Sequence, residues 1–229
     1  MGVLLDIAYN TKDVQGDIVE CGSFKGGTGI LLALFFKELG IQKNIHLFDS
    51  FEGLPAPDEE HDGSYVQGEF KSDYEALKQL ITDLSLNDVI TLHKGWFTEC
   101  VGPYIRQNPK ISLLHIDCDL YQSTLDSYGP LKKYLQPNAA VVFDDFNDGG
   151  GGEKQAVKEI LSEQKILHIG PAPQAYYYEE ESSPSESSYK DGHLLYDFKL
   201  ICDNSPYLEW LSKIGKLDFH EEMQAFLNK

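Results

Sequence analysis

Carboxylates close two of the most apolar runs in the chain. Leu113-Leu114-His115-Ile116 runs into Asp117-Cys118-Asp119, and Val141-Val142-Phe143 runs into Asp144-Asp145. If both runs are neighbouring buried strands, Asp117, Asp144 and Asp145 meet at the edge of a sheet where ligands bind. Three carboxylates cannot crowd there as anions without a compensating cation. An oxygen-only donor set suits Mg²⁺ or a similar hard ion, which keeps positions open for water or substrate oxygens. Asp119, two residues beyond Asp117, is placed to act as a base rather than a ligand. N-capping of the following helices is the alternative, and it explains one acid per turn rather than three.

A second constellation is Val19-Glu20-Cys21-Gly22-Ser23-Phe24-Lys25-Gly26-Gly27-Thr28, an apolar run that turns through glycines toward a helical segment. Gly22 and Gly26 let backbone approach a ligand where a Cβ would collide. Phe24 occupies the place of the second glycine of a dinucleotide fingerprint, which argues against a pyrophosphate over this helix start. Asp49 closes the next apolar run, about 20–30 residues after the glycines, where an acid can accept both hydroxyls of a ribose. Glu20 and Asp49 together suit a nucleoside that carries positive charge, and S-adenosylmethionine (SAM) is one. A tight strand-to-helix connection with Asp49 as a cap remains the alternative. Trp96 either walls an adenine or packs in the core. His93 and His115, inside apolar runs, read as satisfied histidines, and Tyr176-Tyr177-Tyr178 as aromatic packing.

The elements that must position these groups follow from periodicity. Short β-branched runs at Asp17–Cys21, Asn44–Phe48, Val89–His93, Ile111–Ile116 and Ala139–Phe143 alternate with helical segments at Gly29–Leu39, Tyr74–Leu84, Val101–Gln107 and Thr124–Leu135. That alternation predicts an α/β fold with a mostly parallel sheet covered on both faces. After the fifth strand, Gly149-Gly150-Gly151-Gly152 reads as a flexible joint before a helix of about ten residues from Glu153, with its stripe at Ala156, Val157, Ile160 and Leu161. Lys165–Ile169 and His193–Ile201 read as two further strands. Between them the Ser/Glu/Pro-rich stretch predicts a flexible acidic loop over about 170–191. The expected division is a domain over 1–203 and a helical extension over 204–229.

Composition narrows the partners. The 229 residues hold 19 Lys and Arg against 37 Asp and Glu, a formal charge of −18. Such a balance repels phosphate backbones and anionic headgroups, so neither nucleic acid nor a membrane surface is an expected partner. Cys21, Cys100, Cys118 and Cys202 form no C-x-x-C pair, which favours reduced thiols and a cytoplasmic setting. No stretch reads as a signal peptide or spanning helix. The acidic loop and the C-terminal amphipathic segments leave open a homodimer or a contact with a neighbouring biosynthetic domain.

Taken in order, Val19–Gly27, Asp49–Pro55, Lys94–Phe97, Leu113–Thr124 and Val141–Phe146 resemble the macrocin O-methyltransferase family, metal-dependent SAM enzymes that methylate sugar hydroxyls of natural products. The likeness spans about residues 16–162. It implies a class I, Rossmann-like methyltransferase sheet of seven strands. It also implies a cofactor site of Glu20, Gly22, Ser23, Gly26, Thr28, Asp49, Ser50, Phe51, Gly95, Trp96 and Asp117. The metal ligands become Asp117, Asp144 and Asp145, and the general base Asp119. The acceptor becomes a small-molecule hydroxyl, foremost a sugar or vicinal diol. A catechol offers the same pair of oxygens, and a non-catalytic SAM-binding module stays open as a reading of another class. A phosphohydrolase would use the same acids, but Lys94 and Lys132 are the nearest cations for a phosphate. Two departures stand out. Cys118 replaces a common glycine, and the fifteen residues before Gly16 lead us to expect a closing segment that is shortened, missing or supplied by a neighbour.

Overall fold

In the computed structural model, residues 2–147, 151–161, 166–168 and 174–179 are described. They form helices α1 (Gly2–Asn10), α2 (Gly27–Glu38), α3 (Tyr74–Asp83), α4 (Phe97–Ile105), α5 (Tyr121–Leu131) and α6 (Glu153–Ile160). The strands are β1 (Asp17–Cys21), β2 (Ile45–Asp49), β3 (Ile90–Lys94), β4 (Ile111–Ile116), β5 (Leu135–Phe143), β6 (Leu167–His168) and β7 (Ala175–Tyr178). They build one seven-stranded sheet in the order β3-β2-β1-β4-β5-β7-β6. The first five strands pair in parallel, and β7 runs antiparallel to both β5 and β6.

Alternation along the strands divides the core in two. Ile18 and Leu113 point to one face, where Leu4 and Ile7 of α1, Ile30 and Phe35 of α2, and Leu77 and Ile81 of α3 cover them. Val19 and Leu114 point to the other, against Val101 and Tyr104 of α4, Tyr128 and Leu131 of α5, and Val157 of α6. Every residue of β4 is buried, as a central strand sandwiched by helices requires. Strand order reverses between β1 and β4, which lie side by side, and the crevice above their carboxyl ends is where open α/β sheets bind ligands. Among the described residues no helix is long and apolar enough to cross a membrane.

The expected elements fall within a few residues of the observed ones, with three differences. First, α1 is an element the periodicity reading passed over. Its Leu4, Leu5, Ile7 and Ala8 are all buried, and Thr11 Oγ1 closes it by donating to Ile7 and Ala8 carbonyls. Second, Ala175–Tyr178, placed inside the expected flexible loop, is a strand. Its tyrosines are β-formers packed in the core, with Tyr177 hydroxyl bonded to Tyr128 at 2.8 Å. Third, the described half of the glycine run is a packing joint: a Cβ on Gly151 would lie 2.0 Å from the Asp119 carbonyl oxygen. The expected strand His193–Ile201, the acidic stretch from 180 and the extension over 204–229 lie outside the described residues.

Candidate functional site

At the carboxyl end of β1 the chain must turn at once, because β4 leaves no room. A Cβ on Gly22 would sit 1.7 Å from the Asp117 carbonyl oxygen, and the residue has φ +90°. The turn continues through Phe24, itself at φ +48°, to Gly26, which caps α2 at φ +75°. That course delivers the Phe24 N–H to Asp49 Oδ2 at 2.7 Å, while Phe51 N–H reaches Asp49 Oδ1 at 2.6 Å. Burial raises the Asp49 pKa, and those two N–H bonds work against it. A carboxylate has about four lone-pair sites, so two remain for a ligand's hydroxyls.

The cavity above these turns is about 500 Å³. Gly22, Asp49, Ser50, Gly95 and Trp96 line it from the β1–β3 side. Asp117, Asp119 and Asp145 line it from the β4–β5 side. The remaining sequence candidates stand back from it. Glu20 is buried beneath, and Ser23 is buried with its Oγ unpartnered. Gly26 packs on Leu77, and Thr28 is half-buried in the first turn of α2. The Phe51 ring meets Tyr74 edge-on, so what Phe51 gives the site is its N–H. Trp96 is 38% exposed, which makes it a wall rather than core.

Asp117, Asp144 and Asp145 each bring an oxygen within 4.8 Å of the others. Beneath them lies a buried relay: His115 donates from Nδ1 to Glu20 Oε1 at 3.0 Å and from Nε2 to Asp144 Oδ1 at 3.3 Å. Gln174 also donates to Asp144 Oδ1, at 2.9 Å. Burial works against a charged His115, but the bonds to Asp144 and Glu20 outweigh it and raise its pKa well above the ordinary value. In return, although burial acts to raise Asp144, His115 and Gln174 hold it at about 2. Asp117 fares differently. Burial first, then the charges of Asp144 and Asp145, push its pKa far up despite His115.

A further acid joins the cluster. Glu153 is fully buried and accepts the Asp145 N–H at 2.9 Å through Oε1, while Oε2 has no partner. Burial and the charges of Asp145 and Asp117 raise its pKa. Sequence reasoning placed a helix start at Glu153 and passed over its side chain. The signal was available, because Glu153 lies three and four residues ahead of Ala156 and Val157 and so shares their buried face. The donor set is thus all oxygen and under-neutralised, with an orphaned carboxylate oxygen close by, which fits a hard divalent cation.

Comparison with known proteins agrees with this architecture. The profile of the Macrocin-O-methyltransferase (TylF) family matches residues 6–168. The 8-demethyl-8-(2,3-dimethoxy-alpha-L-rhamnosyl)-tetracenomycin-C 4'-O-methyltransferase of Streptomyces olivaceus is 28% identical over 142 residues, 58% of this chain and 54% of that protein. The demethyldecarbamoylnovobiocin O-methyltransferase of Streptomyces niveus is 26% identical over 148 residues, 59% of this chain and 54% of that one. The chain therefore spans about half the length of the curated relatives it matches. A solved calicheamicin methyltransferase, CalS11, superposes with a TM-score of 0.66 at 24% identity, covering 79% of each chain, and shares the fold.

Proposed function

The chain belongs to the macrocin O-methyltransferase family, and from that premise we propose that it transfers a methyl group from SAM to a hydroxyl of a small natural product, foremost a sugar or vicinal diol. In this reading Asp117, Asp144 and Asp145 hold Mg²⁺ or a like cation. The observation that carries the proposal is that one cavity at the strand switch point joins Asp49, with two hydrogen-bonding sites to spare, to a carboxylate cluster short of positive charge. Neither half alone would argue for methyl transfer.

When bound, SAM supplies an electrophilic methyl on a sulfonium and the cation lowers the pKa of the acceptor hydroxyl. The chain's own residues do the rest. Asp49 fixes the ribose, Gly22 and Gly95 leave room for close approach, and Trp96 and Phe97 keep water from the cofactor's flank. Asp119 faces the cavity from the turn after β4 and takes the proton of the acceptor hydroxyl. General base catalysis contributes about 10²–10⁴-fold, which for so weak an acid as an alkyl hydroxyl leaves several kcal/mol to the cation site.

Calorimetric titration of SAM in the presence of Mg²⁺ tests the cofactor without knowledge of the acceptor. Saturable binding is expected, weakened by roughly 10–100-fold in Asp49→Ala through loss of hydrogen bonds to a charged group. Folded wild-type protein that binds no SAM overturns the reading. Screening sugars, polyols and catechols with and without EDTA then tests the rest. Turnover undiminished by excess chelator removes the metal role, and preference for catechols moves the acceptor class.

A further inference from the structure

We propose that Asp62 is a positioning residue: its buried carboxylate fastens the strap over one side of the cavity to the turn that carries Asp119. The inference rests on the reading of Asp119 as the base.

The strap is the chain over 50–73, which contains neither helix nor strand. It gives Leu54, Pro55, Tyr65 and Phe70 to the cavity wall. Phe51 and Leu54 are buried at its start, but further along apolar burial holds it weakly, since Val66 is 60% and Phe70 49% exposed. Its two limbs are instead tied to each other, Gly68 N–H to the Leu54 carbonyl at 2.9 Å and Leu54 N–H to the Glu69 carbonyl at 2.8 Å. Ser72 Oγ ties its far end to the Phe24 carbonyl at 2.7 Å.

Asp62 ties its middle to the opposite side of the cavity. The residue is 1% exposed; Oδ2 accepts the Asp58 N–H within the strap and Oδ1 accepts the Tyr121 N–H, both at 2.7 Å. Tyr121 opens α5, and Leu120 at the cap position offers no side-chain hydrogen bond. Asp62 therefore satisfies one of the helix's unpaired amides from 59 residues away and places its charge at the positive end of the helix. His61 adds a ring stacked on Tyr121 at 4.2 Å.

Asp119 lies two residues ahead of Tyr121 with φ +59°, a left-handed conformation that persists only where the surroundings hold it. The segment 151–153 holds it by a hydrogen bond and by close packing. Glu153 N–H donates to the Asp119 carbonyl at 3.3 Å, and Gly151 and Gly152 press against the turn. A Cβ on Gly152 would lie 2.4 Å from both Asp62 Oδ1 and Tyr121 Cβ. Strap, turn and glycine run thus meet at one buried carboxylate. Loosening it releases the middle of the strap and the base together, while Asp49 keeps its own bonds from the Phe24 and Phe51 N–H groups at the strap's start.

Three variants test this: Asp62→Ala, Asp62→Asn and, from the opposite side of the joint, Gly152→Ala. Asp62→Ala should raise amide hydrogen exchange about tenfold or more over 58–70 and 119–124 and leave β1 and β4 protected. It should lower kcat about 10²-fold, as a misplaced base does, with SAM affinity within about threefold of wild type. Asp62→Asn should recover part of both, because an amide oxygen can still accept from Tyr121 while its NH₂ group cannot accept from Asp58. Gly152→Ala should reproduce Asp62→Ala. Unchanged exchange over both segments overturns the proposal, as does loosening that spreads to β1 and β4 or a fall in SAM affinity that matches the fall in kcat. The exchange measurement needs neither SAM nor acceptor, so wild-type protein that transfers no methyl would defeat the functional reading and leave the joint to be judged by exchange alone.

Discussion

The two halves of the sheet's carboxyl edge hold their acids in opposite ways. Above β1 and β2, Asp49 is served by two backbone N–H groups that the glycine turn and the 50–53 turn aim at it. Above β4 and β5, Asp117, Asp144, Asp145 and Glu153 face one another, with His115 and Gln174 bonded on the Asp144 side. The first arrangement is complete as folded protein and leaves Asp49 with spare acceptor sites for a ligand's hydroxyls. The second is short of positive charge, which the cation proposed above would supply. A carboxylate's role in this molecule is therefore set by the donors around it rather than by its place at a strand end, which Asp49 and Asp117 share.

The largest effect should come from breaking the second half alone. Asp144→Ala should lower turnover at least about 10³-fold, the several kcal/mol assigned to the cation, and leave SAM affinity nearly unchanged. Melting in Mg²⁺ reads the same site without substrate. At roughly a hundredfold excess over Kd, a cation that binds folded protein stabilises it by about 2.7 kcal/mol, and Asp144→Ala should lose that increment. Equal stabilisation of both proteins would place the cation elsewhere. Gly22→Ala strikes the seam between the halves, where a Cβ has no space and φ is positive. It should cost about 3 kcal/mol or more in denaturant unfolding, and a loss below about 1 kcal/mol would mean that the β1 and β4 ends are not locked together. Trp96→Ala touches the first half only. Because the ring is partly exposed and lines the cavity, it should weaken SAM binding about tenfold while stability stays within about 0.5 kcal/mol. A stability loss of several kcal/mol would return Trp96 to the core.

How far the sequence disclosed this arrangement differs between backbone and side chains. Short β-branched apolar runs marked β1 to β5 within a few residues, most plainly β4, which as a central parallel strand is buried on both faces. Strand-end acids could then be placed together without knowing the structure, and Asp117, Asp144 and Asp145 do meet. What escaped depends on contacts distant in sequence. Asp62 sits in a stretch whose acids, Asp58, Glu59, Glu60 and Asp62, look alike on paper, and its burial arises from Tyr121 and Gly152. Glycines 151 and 152 looked like a hinge because composition cannot tell freedom from close packing. The β7 tyrosines were hidden by the Ser/Glu-rich stretch that follows them.

A pH titration sharpens the comparison at its weakest margin, because the sheet carries a titrating group that belongs to neither set of acids. His93 stacks on Phe48 at 4.1 Å and bonds His46 Nδ1 at 2.9 Å, and His46 in turn faces Asp17. Burial, with help from His46, lowers the His93 pKa to about 4. The unfolded chain, with a histidine near 6.5, binds the proton that the folded chain refuses, so stability falls as pH drops from about 6.5 toward 4. With His93 partly exposed, solvent screening reduces the effect to about 1 kcal/mol. His93→Gln keeps a partner for His46 and removes the titration, so unfolding measured between pH 7 and 4 should lose that slope in the variant while SAM binding at pH 7 is unchanged. An identical slope in both proteins would assign the acid sensitivity to the strand-end carboxylates instead.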